Sequence, residues 1–130
     1  MELRIYYADT DAGGVVYHAR YLDFLERGRT EFLRARGLSV RELHDQGWIF
    51  PVVRVEIDYR APALLDDLVR VETSVLEAGR TSFTLGQQVV RVSDGQLLVA
   101  GRVVLVCVGT GMKARRLPAE LLAALREPHQ

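Results

Sequence analysis

Cysteine, lysine, proline and any excess of charge are scarce in this chain. It has one cysteine, Cys107, one lysine, Lys113, and 4 prolines among 130 residues. A single cysteine excludes an internal disulfide and a metal site built from several cysteines. The 17 basic and 17 acidic residues give a formal net charge of +0. This balance argues against a protein built to bind nucleic acid and favours self-association.

Long apolar runs are also absent from the sequence. None approaches the roughly 20 residues that cross a membrane, and the first residues do not show the basic-then-apolar pattern of a signal peptide. We therefore expect a cytoplasmic protein without a membrane span. His44 and His129 stand alone in the sequence, so no metal site is predicted.

The composition that remains is that of an ordinary globular protein. Of the 130 residues, 48% are hydrophobic and 26% are charged. A chain of this size buries roughly two thirds of the surface that it exposes when unfolded. We expect residues 1–130 to form a single domain with one core, with no linker and no internal repeat.

Helical periodicity is clearest over residues 19–36. The apolar residues predicted to share one face of this long helix are Leu22, Leu25, Phe32 and Leu33. Gly37 is expected to end the helix, and Ser39 to cap a short second helix over residues 39–46. Residues 8–17 and 109–116 are predicted to be irregular, and residues 118–125 to form a short C-terminal helix.

Strand-like alternation occurs in five stretches, which are residues 2–7, 49–59, 68–76, 81–92 and 96–108. Residues 77–80 and 93–95 have the composition of tight turns. The last strand is apolar on both faces, which predicts that the long helix covers one face and a partner the other. The order of the elements predicts an α+β fold in which a curved antiparallel sheet wraps around the long helix.

Asp11 is the first candidate for chemistry. A carboxylate can act as a base toward water, or attack a carbonyl carbon directly to give a mixed anhydride. Gly13 and Gly14 follow it, and glycines permit a tight turn and the close approach of a ligand. Aspartate and glycine are also the usual residues of a plain turn, so the spacing alone leaves both interpretations open.

His18 is the second candidate, because it falls where the long helix is expected to begin. The first N–H groups of a helix have no partner within it. The backbone N–H of His18 could therefore hold the oxyanion that develops on a thioester or ester carbonyl. Such a donor is worth roughly 2.7–4 kcal/mol in other enzymes. For the imidazole itself, a hydrogen-bonded, partly buried ring is the alternative to a catalytic one.

Three other reactive side chains are expected to have structural roles. Asp9 has the position of a turn or capping carboxylate, although it could also pair with Asp11. Glu26 lies about two turns into the long helix and is expected to be solvated or ion-paired, although it could also pair with Asp11 as acid and base. Cys107 ends an apolar strand with no histidine beside it in sequence, which favours a buried thiol.

Two polar groups have the composition to meet phosphates, with a solvated surface as the alternative. They lie at the turn after residue 79 and in the late loop, and comprise Arg80, Thr81, Ser82, Lys113, Arg115 and Arg116.

Residues 9–27, DTDAGGVVYHARYLDFLER, resemble the signature of the hotdog-fold acyl-CoA thioesterases. The similarity is to the 4-hydroxybenzoyl-CoA thioesterase type, including the Tol–Pal-associated bacterial enzymes. It continues through residues 57–63, IDYRAPA, and through Asp66 and Asp67 into the later strands, and so covers nearly the whole chain. Arg20 is a departure, since many relatives carry asparagine there.

The resemblance implies a fold, an assembly and a reaction. The fold is a long helix packed in a strongly curved antiparallel sheet. Members dimerise by joining their sheets and often form tetramers, with active sites between subunits. The reaction is hydrolysis of an acyl-CoA to a free acid and coenzyme A. It requires no metal and no redox cofactor, because coenzyme A is part of the substrate.

The resemblance also implies site residues. The catalytic carboxylate of the family falls on Asp11, and the backbone N–H that polarises the thioester carbonyl falls on His18. The residues expected to contact the substrate are Tyr7, Gly14, Val16, Tyr17 and Tyr21, and those expected to contact its coenzyme A part are Arg80, Thr81, Ser82, Lys113, Arg115 and Arg116.

Two other functions are alternatives to hydrolysis. One is a non-catalytic hotdog module that binds acyl-CoA, and the other is a hotdog enoyl-CoA hydratase or dehydratase that uses His18 with a carboxylate. The acyl group is not determined by the sequence, because aromatic and aliphatic groups are both compatible with Tyr7, Tyr21, Phe24, Trp48 and Phe50.

Overall fold

The structure, a computed structural model, describes residues 1–128. Its elements in chain order are β1 (Glu2–Arg4), α1 (Arg20–Ala35), α2 (Val40–Asp45), β2 (Val52–Tyr59), β3 (Leu68–Ala78), β4 (Ser82–Arg91), β5 (Leu97–Val106) and α3 (Ala119–Leu125). Short 3₁₀ turns occur at Tyr7–Asp9 and Thr110–Met112. Within residues 1–128, no helix combines the length and the apolar character that crossing a membrane requires.

The strands form one five-stranded antiparallel sheet in the order β1-β3-β4-β5-β2. The sheet is open, with β1 and β2 at its edges. Helix α1 packs on its inner face, and Phe24 and Leu25 join Leu85 and Val103 in the buried core. The expected α+β architecture, with one long helix against an antiparallel sheet, is confirmed.

Helix α1 approaches the sheet closely because glycines stand at the points of contact. A Cβ atom on Gly28 would lie 2.4 Å from Val71 Cγ1, well inside van der Waals contact. A Cβ atom on Gly101 of β5 would lie 3.3 Å from Leu25 Cδ1. The absence of these two side chains therefore sets the distance between the helix and the sheet.

Gln87 of β4 connects the sheet to the helix through its buried amide. Its Nε2 donates to Leu25 O at 2.9 Å and to Thr73 Oγ1 at 3.0 Å. Its Oε1 accepts from Arg29 Nη1 at 3.2 Å. Burial lowers the pKa of the Arg29 guanidinium. These hydrogen bonds attach the middle of α1 to strand β4.

Local predictions from the sequence are confirmed where α1 ends and where α2 begins. Gly37 follows α1 with a φ of +82°, the left-handed conformation that glycine favours after a helix. Ser39 Oγ accepts the N–H of Glu42 at 3.2 Å and caps α2. Cys107 is buried, and burial raises the pKa of its thiol.

The first predicted strand is too long. The alternation of residues 2–7 predicts a strand throughout, but β1 ends at Arg4. Tyr6 N–H donates to Asp9 Oδ2 and Asp9 N–H donates to Tyr6 O, both at 2.9 Å. These two local bonds fold residues 7–9 into a 3₁₀ turn, a competing arrangement that alternation does not detect.

One prediction about burial needs correction, and a second stays a prediction. Leu22 was expected on the buried face of α1 but is 44% exposed, whereas Tyr21, its neighbour in sequence, is buried. On β5, the inner face is covered as expected, but Arg102 on the outer face is exposed and Val104 is only half-buried. The partner expected on this outer face stays a prediction.

Candidate active site

The loop before α1 is a closed turn that begins at Asp11. Asp11 N–H donates to Val15 O and Gly14 N–H donates to Asp11 O, both at 3.0 Å. The Asp11 carboxylate accepts the N–H of Gly13 through Oδ1 at 2.9 Å, and Gly14 has a φ of +78°. In residues 1–128 the second carboxylate oxygen, Oδ2, has no protein partner. Asp11 is exposed, so this oxygen is available for chemistry.

Asp9 is buried, whereas Asp11 is exposed. Asp9 has a structural role, as the sequence predicts. It is 6% exposed, and its Oδ1 accepts from Arg20 Nε at 2.8 Å in an ion pair. This hydrogen bond raises the pKa of the Arg20 guanidinium. Both oxygens of Asp9 are therefore occupied, by Arg20 and by the Tyr6 N–H. Arg20, the departure from the family pattern, has a structural partner.

The peptide between Tyr17 and His18 lies at the N-terminal end of α1. Arg20 N–H donates to Tyr17 O at 3.0 Å, so this carbonyl points into the helix. Because the peptide is planar and trans, the N–H of His18 points the opposite way, out of the helix end. Within residues 1–128, neither this N–H nor that of Ala19 donates to a protein acceptor. Such groups, together with the helix dipole, stabilise negative charge.

A cavity of about 240 Å³ lies beside this helix end. Three predicted site residues line it, Val16, His18 and Tyr21. Its other lining residues are Val15, Tyr59, Arg60, Ala61 and Pro62. The free N–H groups of the helix end and a partly apolar cavity therefore lie side by side.

The connection after β2 is hydrogen-bonded to the loop and to the start of α1. Val16 N–H donates to Ala63 O at 3.0 Å, and Leu65 N–H donates to Gly14 O at 3.1 Å. Ala63 N–H in turn donates to the buried Tyr21 hydroxyl oxygen at 3.0 Å. Burial raises the pKa of the Tyr21 hydroxyl. The loop and the helix start are thus held by residues some 45 positions later in the chain.

Tyr59 and residues 60–62 are site residues that the sequence analysis did not assign. The Tyr59 hydroxyl donates to His18 O at 3.2 Å, and the two rings lie 4.5 Å apart. Only the family resemblance offered a signal, since residues 57–63 are part of the similar sequence. Spacing could not show it, because 40 residues separate Tyr59 from His18.

Other predicted substrate residues lie outside the cavity lining of the single chain. Tyr7 is 77% exposed and Tyr17 is 41% exposed. Gly14 belongs to the turn, and nothing lies within 4 Å of its side-chain position. Asp11 is also absent from the lining. One protomer therefore presents the helix end and the cavity together, while the Asp11 carboxylate lies on the exposed turn that precedes them in sequence.

The two predicted phosphate-binding groups converge at the opposite end of the sheet. Leu117 N–H donates to Arg80 O at 2.9 Å, and Cys107 N–H donates to Thr81 O at 2.7 Å. The turn before β4 thus meets the late loop. Arg80, Lys113 and Arg116 are exposed there. We call the six residues Arg80, Thr81, Ser82, Lys113, Arg115 and Arg116 the basic end.

Arg115 has structural contacts within the basic end. Its guanidinium lies 3.7 Å from the centre of the Trp48 ring, and its Nη1 donates to Gly47 O at 3.3 Å. Trp48 Nε1 donates to Arg116 O at 3.1 Å. These contacts attach the late loop to the segment before β2.

Metal ligands are not grouped in the described residues, where no three His, Cys, Asp or Glu side chains stand close enough to hold an ion. His44 is exposed on α2. His129, the other isolated histidine, lies outside residues 1–128.

Comparison with known proteins assigns the family. The model of the thioesterase-like superfamily matches residues 6–125. The chain belongs to this superfamily. The acyl-CoA thioesterase YbgC of Haemophilus influenzae is 44% identical over 124 residues, covering 94% of this chain and 90% of the relative. The acyl-CoA thioester hydrolase YbgC of Escherichia coli is 40% identical over 126 residues, covering 96% and 93%.

A solved structure matches the fold. A 1,4-dihydroxy-2-naphthoyl-CoA thioesterase from Synechocystis superposes with a TM-score of 0.90 at 27% identity, covering 96% of this chain and 93% of that one. The hotdog fold and the enzyme class expected from the sequence, a thioesterase, are confirmed.

Proposed function

We propose that this protein hydrolyses acyl-CoA thioesters to a free carboxylic acid and coenzyme A. The observation that carries the proposal is the free backbone N–H of His18 at the N-terminus of α1, beside the cavity. The superfamily and the acyl-CoA substrates named for its YbgC relatives support the substrate class.

The His18 N–H is assigned the role of oxyanion donor. When the thioester carbonyl carbon becomes tetrahedral, negative charge develops on its oxygen. A preorganised donor stabilises this charge more than it stabilises the neutral carbonyl, and so lowers the barrier. The coenzyme A thiolate then leaves as a good leaving group, which removes the need for a strong general acid.

Asp11 is assigned the role of base or nucleophile. In the first route, its carboxylate takes a proton from water as the water oxygen attacks the carbonyl carbon. In the second, the carboxylate attacks the carbon, coenzyme A leaves, and water hydrolyses the acyl-aspartate. Both routes consume one water molecule and release one acid and one coenzyme A. The free Oδ2 suits either role, because Oδ1 is already engaged by Gly13.

A second protomer is proposed to complete the site. Strand β2 is an open edge with exposed apolar side chains, among them Val52, Val53 and Val55. Such an edge is a liability in a monomer and suits strand pairing. Antiparallel pairing of β2 with its copy would form a dimer, alone or within a tetramer. The exposed Asp11 and Tyr7 would then face a subunit boundary.

The same pairing would bring the basic end of one protomer to the cavity of the other. The cavity adjoins Tyr59, which pairs with Val99, whereas the basic end adjoins Ser82, which pairs with Val106. Seven residues of β5 separate these pairs by about 24 Å at roughly 3.4 Å per residue. In an antiparallel pair of β2 strands, opposite ends become neighbours. We propose that the coenzyme A phosphates bind there, on residues such as Arg80, Lys113 and Arg116.

The acyl group is proposed to lie in the cavity, in contact with Val16 and Tyr21, with Tyr7, Gly14 and Tyr17 bordering it. Aromatic and aliphatic acyl groups remain candidates, and the naphthoyl substrate of the Synechocystis protein is one aromatic precedent. Hydrolysis without a metal or redox cofactor, a cytoplasmic location and the absence of a nucleic-acid partner stay predictions.

The test is release of thiol from a panel of aromatic and aliphatic acyl-CoA esters by the parent and by Asp11→Asn. Asparagine keeps an oxygen for the Gly13 N–H, so the turn should fold unchanged. We expect kcat to fall by at least about a hundredfold, in the range typical of a lost general base, with an unchanged melting temperature. Asp45→Asn, an exposed carboxamide substitution on α2, is the matched control.

Three results would contradict the proposal. Full turnover by Asp11→Asn would remove Asp11 from the chemistry. Stabilisation of the parent by acyl-CoA without thiol release would indicate a binding module. Loss of the ultraviolet absorbance of an enoyl-CoA without thiol release would indicate a hydratase.

A further inference from the structure

Tyr59 contacts the helix start through both parts of its side chain. Its hydroxyl donates to the carbonyl oxygen of His18 at 3.2 Å. Its ring lies 4.5 Å from the His18 imidazole at an interplanar angle of 53°. One side chain therefore holds His18 at the carbonyl and at the ring.

Without Tyr59, the peptide between His18 and Ala19 would be held weakly. Within residues 1–128 its carbonyl otherwise accepts only the N–H of Tyr21, at 3.3 Å, and α1 itself begins at Arg20. The first turn of a helix frays readily. The N–H of Ala19 belongs to this peptide, and the N–H of His18 belongs to the preceding one.

Tyr59 is itself fixed by the sheet. It pairs with Val99 in the last register position of β2, and the N–H of the next residue, Arg60, donates to Leu98 O at 2.8 Å. Its ring also lies 5.6 Å from the ring of the buried Tyr21. The contact with His18 thus links the start of α1 to the end of strand β2.

We propose that Tyr59 is a positioning residue of the thioesterase site, holding His18 by its carbonyl and its imidazole so that the free N–H groups of His18 and Ala19 keep one orientation beside the cavity. This inference rests on the proposed function. Because donors must be aimed at the oxyanion before it forms, a small misplacement lowers the rate steeply. Tyr59 acts through His18 and not on the thioester directly.

The experiment compares Tyr59→Phe and Tyr59→Leu in steady-state hydrolysis of the best acyl-CoA of the panel. Phenylalanine keeps the ring and loses the hydroxyl, and leucine loses both contacts. We expect kcat to fall by about tenfold and about a hundredfold, respectively, within the loss that misplacement causes in other sites. KM should stay within about threefold. Tyr6→Phe, which removes the hydroxyl of a tyrosine that is 68% exposed, is the matched control.

A vibrational measurement distinguishes a loss of orientation of the N–H donors from a general loss of structure. The same acyl-CoA, labelled with ¹³C at its carbonyl, is bound to Asp11→Asn, which is expected to turn it over slowly. Oxyanion donors should lower the carbonyl stretching frequency relative to free substrate. In the Asp11→Asn, Tyr59→Phe double variant, this frequency should move back toward the free value while the melting temperature is unchanged.

The outcomes distinguish this inference from the function on which it rests. If the parent releases no thiol from any ester, both fail. If the parent is active but Tyr59→Phe keeps its kcat and the carbonyl frequency, only the role of Tyr59 fails. A rise in KM with unchanged kcat would also overturn it, because Tyr59 would then be part of the wall for the acyl group.

Discussion

The two flanks of helix α1 are built differently. Toward β3 and β4 the helix lies close to the sheet, since a Cβ on Gly28 would overlap Val71, and Gln87 is 1% exposed. Toward β2 it is open, with Leu22 44% and Val55 39% exposed. The first flank stabilises the protomer by itself. The second leaves apolar surface uncovered beside the candidate site, which is where the proposed second protomer would bind.

Among the substitutions that test this difference between the flanks, a methyl group added at Gly28 should change the free energy of unfolding most. Alanine is about 1 kcal/mol better than glycine in a helix, but here its Cβ would overlap Val71, whose Cβ is also close at 3.2 Å. We expect Gly28→Ala to lower the free energy of unfolding by about 2–3 kcal/mol, within the usual cost of overpacking. Chemical denaturation at a fixed protomer concentration measures it.

A double-mutant cycle identifies the cause. Val71→Ala removes Cγ1, the atom that lies nearest to the new methyl group, so the double variant should be more stable than the sum of the two single effects predicts. Simple additivity would mean that the helix can shift away from the sheet. Arg27→Ala, on the solvent side of the same helix, should change stability by less than about 0.5 kcal/mol.

Replacing the buried amide should have the next largest effect. Gln87→Met keeps the approximate shape but leaves Arg29 and Thr73 without their partner. A buried polar group left unsatisfied costs about 1–3 kcal/mol, and we expect a loss of about 1–2 kcal/mol. Gln88→Met is a close control, because Gln88 is exposed on the outer face of the same strand. Equal effects at both positions would contradict a specific role for the amide.

The sequence predicts the positions of the helices better than it predicts how the two flanks of α1 are packed. The spacing of apolar residues, Gly37 and Ser39 predict where α1 and α2 lie, because these signals are local. Whether Leu22 or Tyr21 faces the core depends on how the curved sheet surrounds the helix. The roles of Gly28 and Gln87 depend on the helix–sheet distance, which is a tertiary property without a local signature.

The candidate site shows the same division. Residues 9–18 predict the turn, the turn or capping role of Asp9 and a helix that begins just after His18, since each depends on neighbours in sequence. Tyr59 and the connection that holds Val16 enter the site only when the sheet brings them back to the helix. The convergence of Arg80 with the late loop likewise follows from strand pairing, so two separate basic groups become one surface.

A charged side chain on the open flank should change the stability of the protomer least and its association with a second protomer most. Val55 lies on edge strand β2, pairs with Val103 of β5 and is already 39% exposed. In dilute protein, Val55→Lys should change the unfolding free energy by less than about 0.5 kcal/mol, as at other surface positions. At an apolar subunit boundary, however, a buried unpaired ammonium group is strongly unfavourable. We therefore expect sedimentation to show a shift toward monomer.

The melting temperature provides an independent check on the same variant. A parent stabilised by association should melt at a higher temperature as its concentration rises, and Val55→Lys should lose this dependence. Val40→Lys places the same charge on exposed α2 and should behave as the parent does. If Val55→Lys associates normally but the protomer loses more than about 2 kcal/mol, then the β2 flank is packed within one chain. The difference between the two flanks would then be one of degree, and the proposed subunit boundary would have to lie elsewhere.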